Sequence, residues 1–531
     1  MSAAKPPAAD SQRVRIYDTT LRDGTQREGL SLSCGDKLRL AGWLDTLGVS
    51  FIEGGWPGSN PKDVEFFARA KDLEWKHAAI TAFGATRRAS TDVEDDPGLR
   101  ALLDAGTPVI TLFGKSSVFQ VTQVLLTTLD ENLAMIEQSV AYLRASGKDR
   151  VVYDAEHFFD AYREDPVYAL ETLRAAIRGG AEVVVLCDTN GGSLPWQVAE
   201  VVAQVKALKH PLGIHTHDDG GCAVANALAA VREGARHVQG TLNGYGERCG
   251  NANLCAVLPG LELKLGLACL PSGALAGLYQ LAHSVAEVAN LAPDEHMAYV
   301  GKSAFAHKGG VHVSAVRRSA QAYQHIDPAA VGNQMRVIVS ELAGRATVLE
   351  KAERLGVALE PEQAQAILTR IKQAEARGFS FEAAEASTEL MVWREAPDYQ
   401  PPFRLLDYKV TVSEGNGQGS SAEATVKLSI AGEVVHTAAD GNGPVSALDA
   451  ALRKALLPRF PALSTISLVD YKVRILDGEQ GTQAITRVLI DSSDGAHRWS
   501  TVGAASNIIA ASWQALADSI EYGLRRLERS A

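Results

Sequence analysis

The chain has 531 residues, and 52 Lys plus Arg against 63 Asp plus Glu leave a formal charge of −11. That balance argues against general nucleic-acid binding, which rests on cations at phosphates, and no apolar run is long enough to span a membrane. The six cysteines form no C-x-x-C pair, so neither a disulfide framework nor a structural zinc site is expected and a reducing cytoplasm is the expected location.

Residues 1–12 read as a disordered lead-in. From residue 13 to about 285, short β-rich runs alternate with longer helical stretches. The predicted strands are 14–18, 51–55, 80–83, 109–113, 151–155, 183–188, 213–217 and 237–242. Each is a brief apolar run bounded by Gly, Asp, Asn or Pro, as a buried parallel strand should be. Helical patterns such as 36–47, 61–70, 129–145, 166–178 and 194–208 lie between them. Eight βα units predict an α/β fold, a (β/α)₈ TIM barrel whose C-terminal strand ends open onto one face. A doubly wound sheet is the alternative, but it needs no eighth strand.

From about 254 to 396 the reading is mostly helical, with helices over 272–290, 361–376 and 381–394 and a Pro-rich connection at 397–402, so 286–400 is expected to hold mostly helical linker subdomains. Beyond it, 401–531 holds an internal repeat. Asp407-Tyr408-Lys409-Val410 recurs as Asp470-Tyr471-Lys472-Val473. Each copy continues with a second strand, a third strand and a helix expected to begin at Gly441 or Gly503. The pattern predicts a pseudo-repeated βββα domain for regulation and dimerisation, with a ligand or dimer surface between its halves.

The polar residues cluster just after the strands. Strand 1 leads into Asp18–Gln26, strand 7 carries His215-Thr216-His217, and strand 8 leads into Asn243–Asn251. Period-2 spacing puts His215 and His217 on one face, and strands 7, 8 and 1 are neighbours in a barrel. Asp23, His215, His217 and Asn251 can therefore converge as a mixed N/O site for Mg²⁺, Mn²⁺ or Zn²⁺. Glu156 and Thr189 follow strands 5 and 6 and face the same mouth. Lys115, after strand 4, could pair with a substrate carboxylate or phosphate, or simply snorkel along the surface. Placement of H-x-H after strand 7 separates the chain from barrel amidohydrolases, where the pair follows strand 1.

The motifs IYDTTLRDGTQREG, GIHTHDDGGCAVANALAAV, LNGYGERCGNANL and FAHKGGVHVSAV closely resemble the metal-dependent acyl-CoA Claisen synthases. That family comprises the 2-isopropylmalate, homocitrate and citramalate synthases. The resemblance implies condensation of acetyl-CoA with a 2-oxo acid, followed by thioester hydrolysis. The stretches 51–63, 112–121 and 151–162 look most like the branch that uses pyruvate, and a longer 2-oxo acid is the alternative. It further implies that Asp23, His215, His217 and Asn251 hold the metal, and that Arg22 supports the 2-oxo acid. Glu156 and Thr189 would belong to the substrate site, and His312 and Tyr323 would activate acetyl-CoA, with Glu156 assisting. A homodimer, and a C-terminal domain that binds isoleucine as effector, complete what it implies.

Overall fold

In a computed structural model of the chain, eight strands pair in sequence order and close on themselves. The structure describes residues 13–148, 150–307, 315–316, 318–337, 344–415, 419–476 and 483–530; the expected lead-in at 1–12 lies outside them. The strands are β1 (Arg15–Asp18), β2 (Phe51–Gly55), β3 (Ala79–Ala85), β4 (Val109–Lys115), β5 (Arg150–Glu156), β6 (Val183–Asp188), β7 (Leu212–Thr216) and β8 (His237–Gly240). All pair in parallel, and β8 returns to β1 with Asp18 opposite Gly240. The chain is thus α/β, a (β/α)₈ barrel followed by helices and a duplicated C-terminal unit.

Local sequence explains the helices between strands. Ser33 and Asp36 make a capping box at the start of Cys34–Leu47, and Gly48 closes it in the left-handed conformation. Asp165 caps Pro166–Gly179 by accepting from Val167 and Tyr168, with Pro at the first helical position. Strand 7 begins and ends one residue earlier than the predicted 213–217. After Thr216 the chain turns, and His217 instead makes a single antiparallel bridge with Asn251. The expected helix over 272–290 is shorter. A 3₁₀ turn (Ala274–Gly277) precedes the α-helix Leu278–Val288.

The barrel interior is filled at its lower end by Tyr17, Phe51, Val109, Val152, Val183 and Val185. A separate, larger shell lies between the strands and the surrounding helices. The interior changes from apolar to polar towards the C-terminal strand ends, where Glu53, Asp154, Gln239 and His215 are buried.

Met1–Phe305 with His325–Gln334 form one compact unit; Ala306–Gln324 and Met335–Ala531 form a second. In the second, helices span Arg345–Arg354, Pro361–Ala376 and Glu385–Trp393. Two three-stranded antiparallel sheets follow, each backed by a helix, Pro444–Leu456 or Ile508–Ser530. The duplication extends to a flaw in register. The first strand of each sheet slips between Leu405 and Asp407, and between Leu468 and Asp470. Both halves share one core, in which Trp513 stacks on Tyr408 across the repeat.

The helices do not begin at Gly441 and Gly503, as the sequence reading expected. Both glycines are strand residues facing the helix that follows. A Cβ on Gly441 would lie 2.4 Å from Ala447 N, and one on Gly503 would lie 2.0 Å from Ala511 O. These positions need Gly because strand and helix backbones nearly touch. No described helix is long and apolar enough to cross a membrane.

Candidate active site at the barrel mouth

The segment after β1 turns sharply because Arg22 and Gly24 N–H groups return to Thr19 O. That turn places Arg22 and Asp23 over the barrel axis. From across the β8–β1 seam, the Leu242 N–H donates to Thr20 Oγ1 at 2.9 Å. Asn251 is brought in by its bridge to His217, with Asp218 N–H donating to Gly250 O and Ala252 N–H to Thr216 O. Gly246 permits this fold. Its φ is +154°, and a Cβ there would lie 2.2 Å from Asn251 Nδ2.

Asp23, His215 and His217 offer three ligand atoms all within 4.8 Å of one another, the only such group among the described residues. His215 Nε2 lies 3.4 Å from Asp23 Oδ2 and 3.1 Å from His217 Nε2. The Asn251 side chain bonds to Asp23. Asn251 Oδ1 and His217 Nδ1 are buried without a hydrogen-bond partner. Burial alone would raise the Asp23 carboxyl, but Arg22, both imidazoles and Asn251 hold it below the usual carboxylate range. Burial, with His215 beside it, pushes His217 down to about 4. An ionised carboxylate and a neutral imidazole are the forms a metal needs. The crowded Asp23, His215 and His217 ligand atoms, with Asn251 Oδ1 left unpartnered beside them, have the chemistry to take a divalent cation.

Arg22 Nε donates to Glu53 Oε1 at 2.5 Å, its Nη2 lies 3.6 Å from Asp23 Oδ2, and its guanidinium carbon sits 3.8 Å from the Phe83 ring centroid. Glu53 also accepts from Thr19 Oγ1 and from the Tyr17 hydroxyl. This buried carboxylate is thus satisfied by three donors and fixes the arginine fork. Phe83 stacks on Phe113 at 5.2 Å, and Trp56 meets both edge-on. Arg22, Asp23, His215, Glu156, Thr189 and these three aromatics line one cavity of ≈ 210 Å³. That is below the roughly 300–1,000 Å³ of drug-sized sites, so it suits a small acid.

The other expected residues have mixed positions. Glu156 Oε2 is 2.5 Å from Lys115 Nζ, so Lys115 is occupied by a protein carboxylate rather than held open for a substrate. Thr189 Oγ1 accepts from His157 N–H at 2.8 Å. Tyr323 belongs to the second unit, half-exposed, with its ring 6.3 Å from that of His307. His312 lies outside the described residues. The sequence reading missed Glu53, Asp154, Gln239 and Arg248. Arg248 Nε and Nη2 clamp Asp219 at 2.7 and 2.9 Å, and Nη2 also reaches Thr189 O at 2.9 Å. The clamp ties together the loops after β6, β7 and β8. A polar residue within two positions of a strand end was the available signal for Glu53, Asp154 and Gln239, whereas Arg248 lies in the loop well past β8.

Residues 13–285 match the HMGL-like family, residues 299–378 the homocitrate synthase post-HMGL domain-like family, and residues 382–524 the LeuA allosteric (dimerisation) domain. The chain belongs to the HMGL-like family of enzymes. Across nearly its full length it is similar to (R)-citramalate synthases. It is 52% identical to the one from Synechocystis sp. over 528 residues, 96% of each chain. It is 53% identical to the one from Streptomyces coelicolor over 516 residues, again 96% of each. The 2-isopropylmalate synthase of Acidimicrobium ferrooxidans is more distant, 31% identical over 527 residues and 98% of each chain.

Proposed function

We propose that the chain condenses acetyl-CoA with pyruvate and hydrolyses the resulting thioester, so that pyruvate, acetyl-CoA and water give (R)-citramalate and CoA. The observation that carries this reading is the convergence of Arg22 with the Asp23–His215–His217 group in a small, aromatic-walled cavity. The drop in identity from 52% to 31% between citramalate and isopropylmalate synthases favours pyruvate over a longer 2-oxo acid.

Asp23, His215, His217 and Asn251 would hold a divalent ion, Mg²⁺, Mn²⁺ or Zn²⁺, which when bound supplies Lewis-acid polarisation of a keto group. The protein's own groups do the rest. Arg22, fixed through Nε by Glu53, keeps its remaining N–H groups for the oxygen that gains charge as the new C–C bond forms. Trp56, Phe83 and Phe113 enclose the side chain of the acid and favour a methyl group. Thr189 and Glu156, the latter paired with Lys115, also line the cavity. His312 is proposed as the base that takes a methyl proton from the thioester, assisted by Glu156, with Tyr323 donating to the enolate oxygen.

The match to the LeuA allosteric (dimerisation) domain supports a homodimer and an effector site within 382–524. Isoleucine is the proposed effector, because citramalate leads to the 2-oxo acid from which isoleucine is made. Calorimetric titration of the full-length protein with isoleucine, leucine and valine tests it. Heat from isoleucine together with loss of activity is expected, and indifference to all three would leave dimerisation alone. The substrate is tested by thiol release from acetyl-CoA with pyruvate, 2-oxobutyrate, 2-oxoisovalerate and 2-oxoglutarate offered separately. Pyruvate should give the highest kcat/KM. A clear preference for 2-oxoisovalerate or 2-oxoglutarate would move the chain to the isopropylmalate or homocitrate reaction.

A further inference from the structure

His215 faces two partners that compete for its proton. On one side its Nε2 is 3.4 Å from Asp23 Oδ2 and 3.1 Å from His217 Nε2. Left to these neighbours, a neutral His215 would carry its proton on Nε2, where Asp23 can accept it. That proton would point where a metal must sit. On the other side, Nδ1 is 2.8 Å from Gln239 Oε1. An amide oxygen only accepts, so this contact requires the proton on Nδ1.

Gln239 is fully buried in β8, and its Nε2 donates to Asp154 Oδ1 on β5 at 2.9 Å. Turned around, the amide would need a protonated Asp154 to donate to its oxygen, and its NH₂ would face His215. Both ends of the side chain are therefore spoken for inside the barrel, with no water needed to complete them. We propose that Gln239 is a positioning residue for the divalent-metal site. Anchored by Asp154, it holds His215 as the Nδ1–H tautomer and turns the Nε2 lone pair towards Asp23 and His217. The inference rests on the metal reading above and adds the group that makes one ligand ready before metal arrives. Partners behind a metal-bound imidazole commonly act in this way, and losing one costs roughly 10–100-fold in metal affinity.

The test is calorimetric titration of metal-free, full-length protein with Mn²⁺, using wild type, His217→Ala, Gln239→Met and Gln239→Glu. Met matches the length of Gln and removes both hydrogen bonds, whereas Glu keeps an acceptor for His215 Nδ1 and, by sharing one proton with Asp154, the anchor behind it. Gln239→Met, folded by circular dichroism, should bind Mn²⁺ roughly 10–100-fold more weakly, and Gln239→Glu should recover most of that loss. Wild-type affinity in Gln239→Met would overturn the proposal. So would equal losses in Met and Glu, which would mark a structural role only. Should Gln239→Met fail to fold, imidazole ¹⁵N shifts of histidine-labelled, metal-free wild type give the answer directly. A protonated Nδ1 and bare Nε2 at His215 are expected, and the reverse tautomer would refute the proposal. If wild type and His217→Ala are equally unable to bind Mn²⁺, it is the metal reading that fails, a result distinct from the others.

Discussion

His237 offers a quantitative check on the barrel interior. Its ring packs 5.2 Å from Tyr17 and 5.4 Å from Phe51, and both ring nitrogens are buried without a hydrogen-bond partner. Burial, with Arg15 adding to it, pushes the imidazole down to about 3. An unfolded histidine titrates near 6.5. Between those values the unfolded chain binds a proton that the folded chain refuses, so stability falls as pH drops below about 6.5 and levels off only near 3. Going from pH 7 to pH 5 should cost about 2 kcal/mol from this residue alone. A barrel of this size should then lose roughly 4 °C in its unfolding midpoint. His237→Phe keeps an aromatic ring in the niche and removes the proton site. Comparing the pH 7 to pH 5 shift of wild type with that of His237→Phe, at one scan rate, cancels the carboxylates common to both. Equal shifts in the two proteins would refute an uncharged, desolvated imidazole in this place.

Arg22→Lys should lower kcat/KM by about 100-fold or more, because an ammonium cannot both bond Glu53 and reach a developing oxyanion; steady-state kinetics with the fold confirmed by circular dichroism decide, and near-normal turnover would make Arg22 a structural residue. Phe113→Ala should raise the kcat/KM ratio of 2-oxobutyrate to pyruvate by roughly tenfold, the scale of one methylene in an apolar pocket; an unchanged ratio would remove the aromatic wall from substrate choice. Gly503→Ala should destabilise the second unit by about 2 kcal/mol or more, since the added methyl meets the Ala511 carbonyl and must push strand from helix. Chemical denaturation followed by tryptophan fluorescence, to which Trp393, Trp499 and Trp513 of this unit contribute, would show it, and a midpoint equal to wild type would contradict the close approach.

The barrel was legible because its strands are short apolar runs with polar residues crowded after them, and a closed parallel barrel is the arrangement that gathers those ends. Asp23 and His215-Thr216-His217 stood out for the same reason. Glu53, Gln239 and Asp154 did not, because each sits inside a strand and reads as one polar interruption in a hydrophobic run. Their meaning depends on partners from other strands, such as Gln239 on β8 between His215 on β7 and Asp154 on β5. Gly441 and Gly503 were misread for a different physical cause. Glycine next to a helical pattern suggests a helix end, whereas here it marks two backbones in contact. The short 3₁₀ turns, whose side-chain pattern differs little from a helix start, shifted other boundaries by a few residues.

The proposed ligand set straddles the β8–β1 seam, where the ring closes between segments 222 residues apart at Thr20 and Leu242. Closing so long a loop is the slowest kind of contact to form, since its entropy must be lost before any pairing rewards it. A cation held by residues from both sides of that seam cannot bind until the ring has closed. Once there, it would act as a clasp, because opening the seam would require releasing it. Bound ion at 100 times its dissociation constant would favour the closed state by about 2.7 kcal/mol. The amount of metal in the cell would thereby set how long each finished barrel lasts, as well as how fast it turns over.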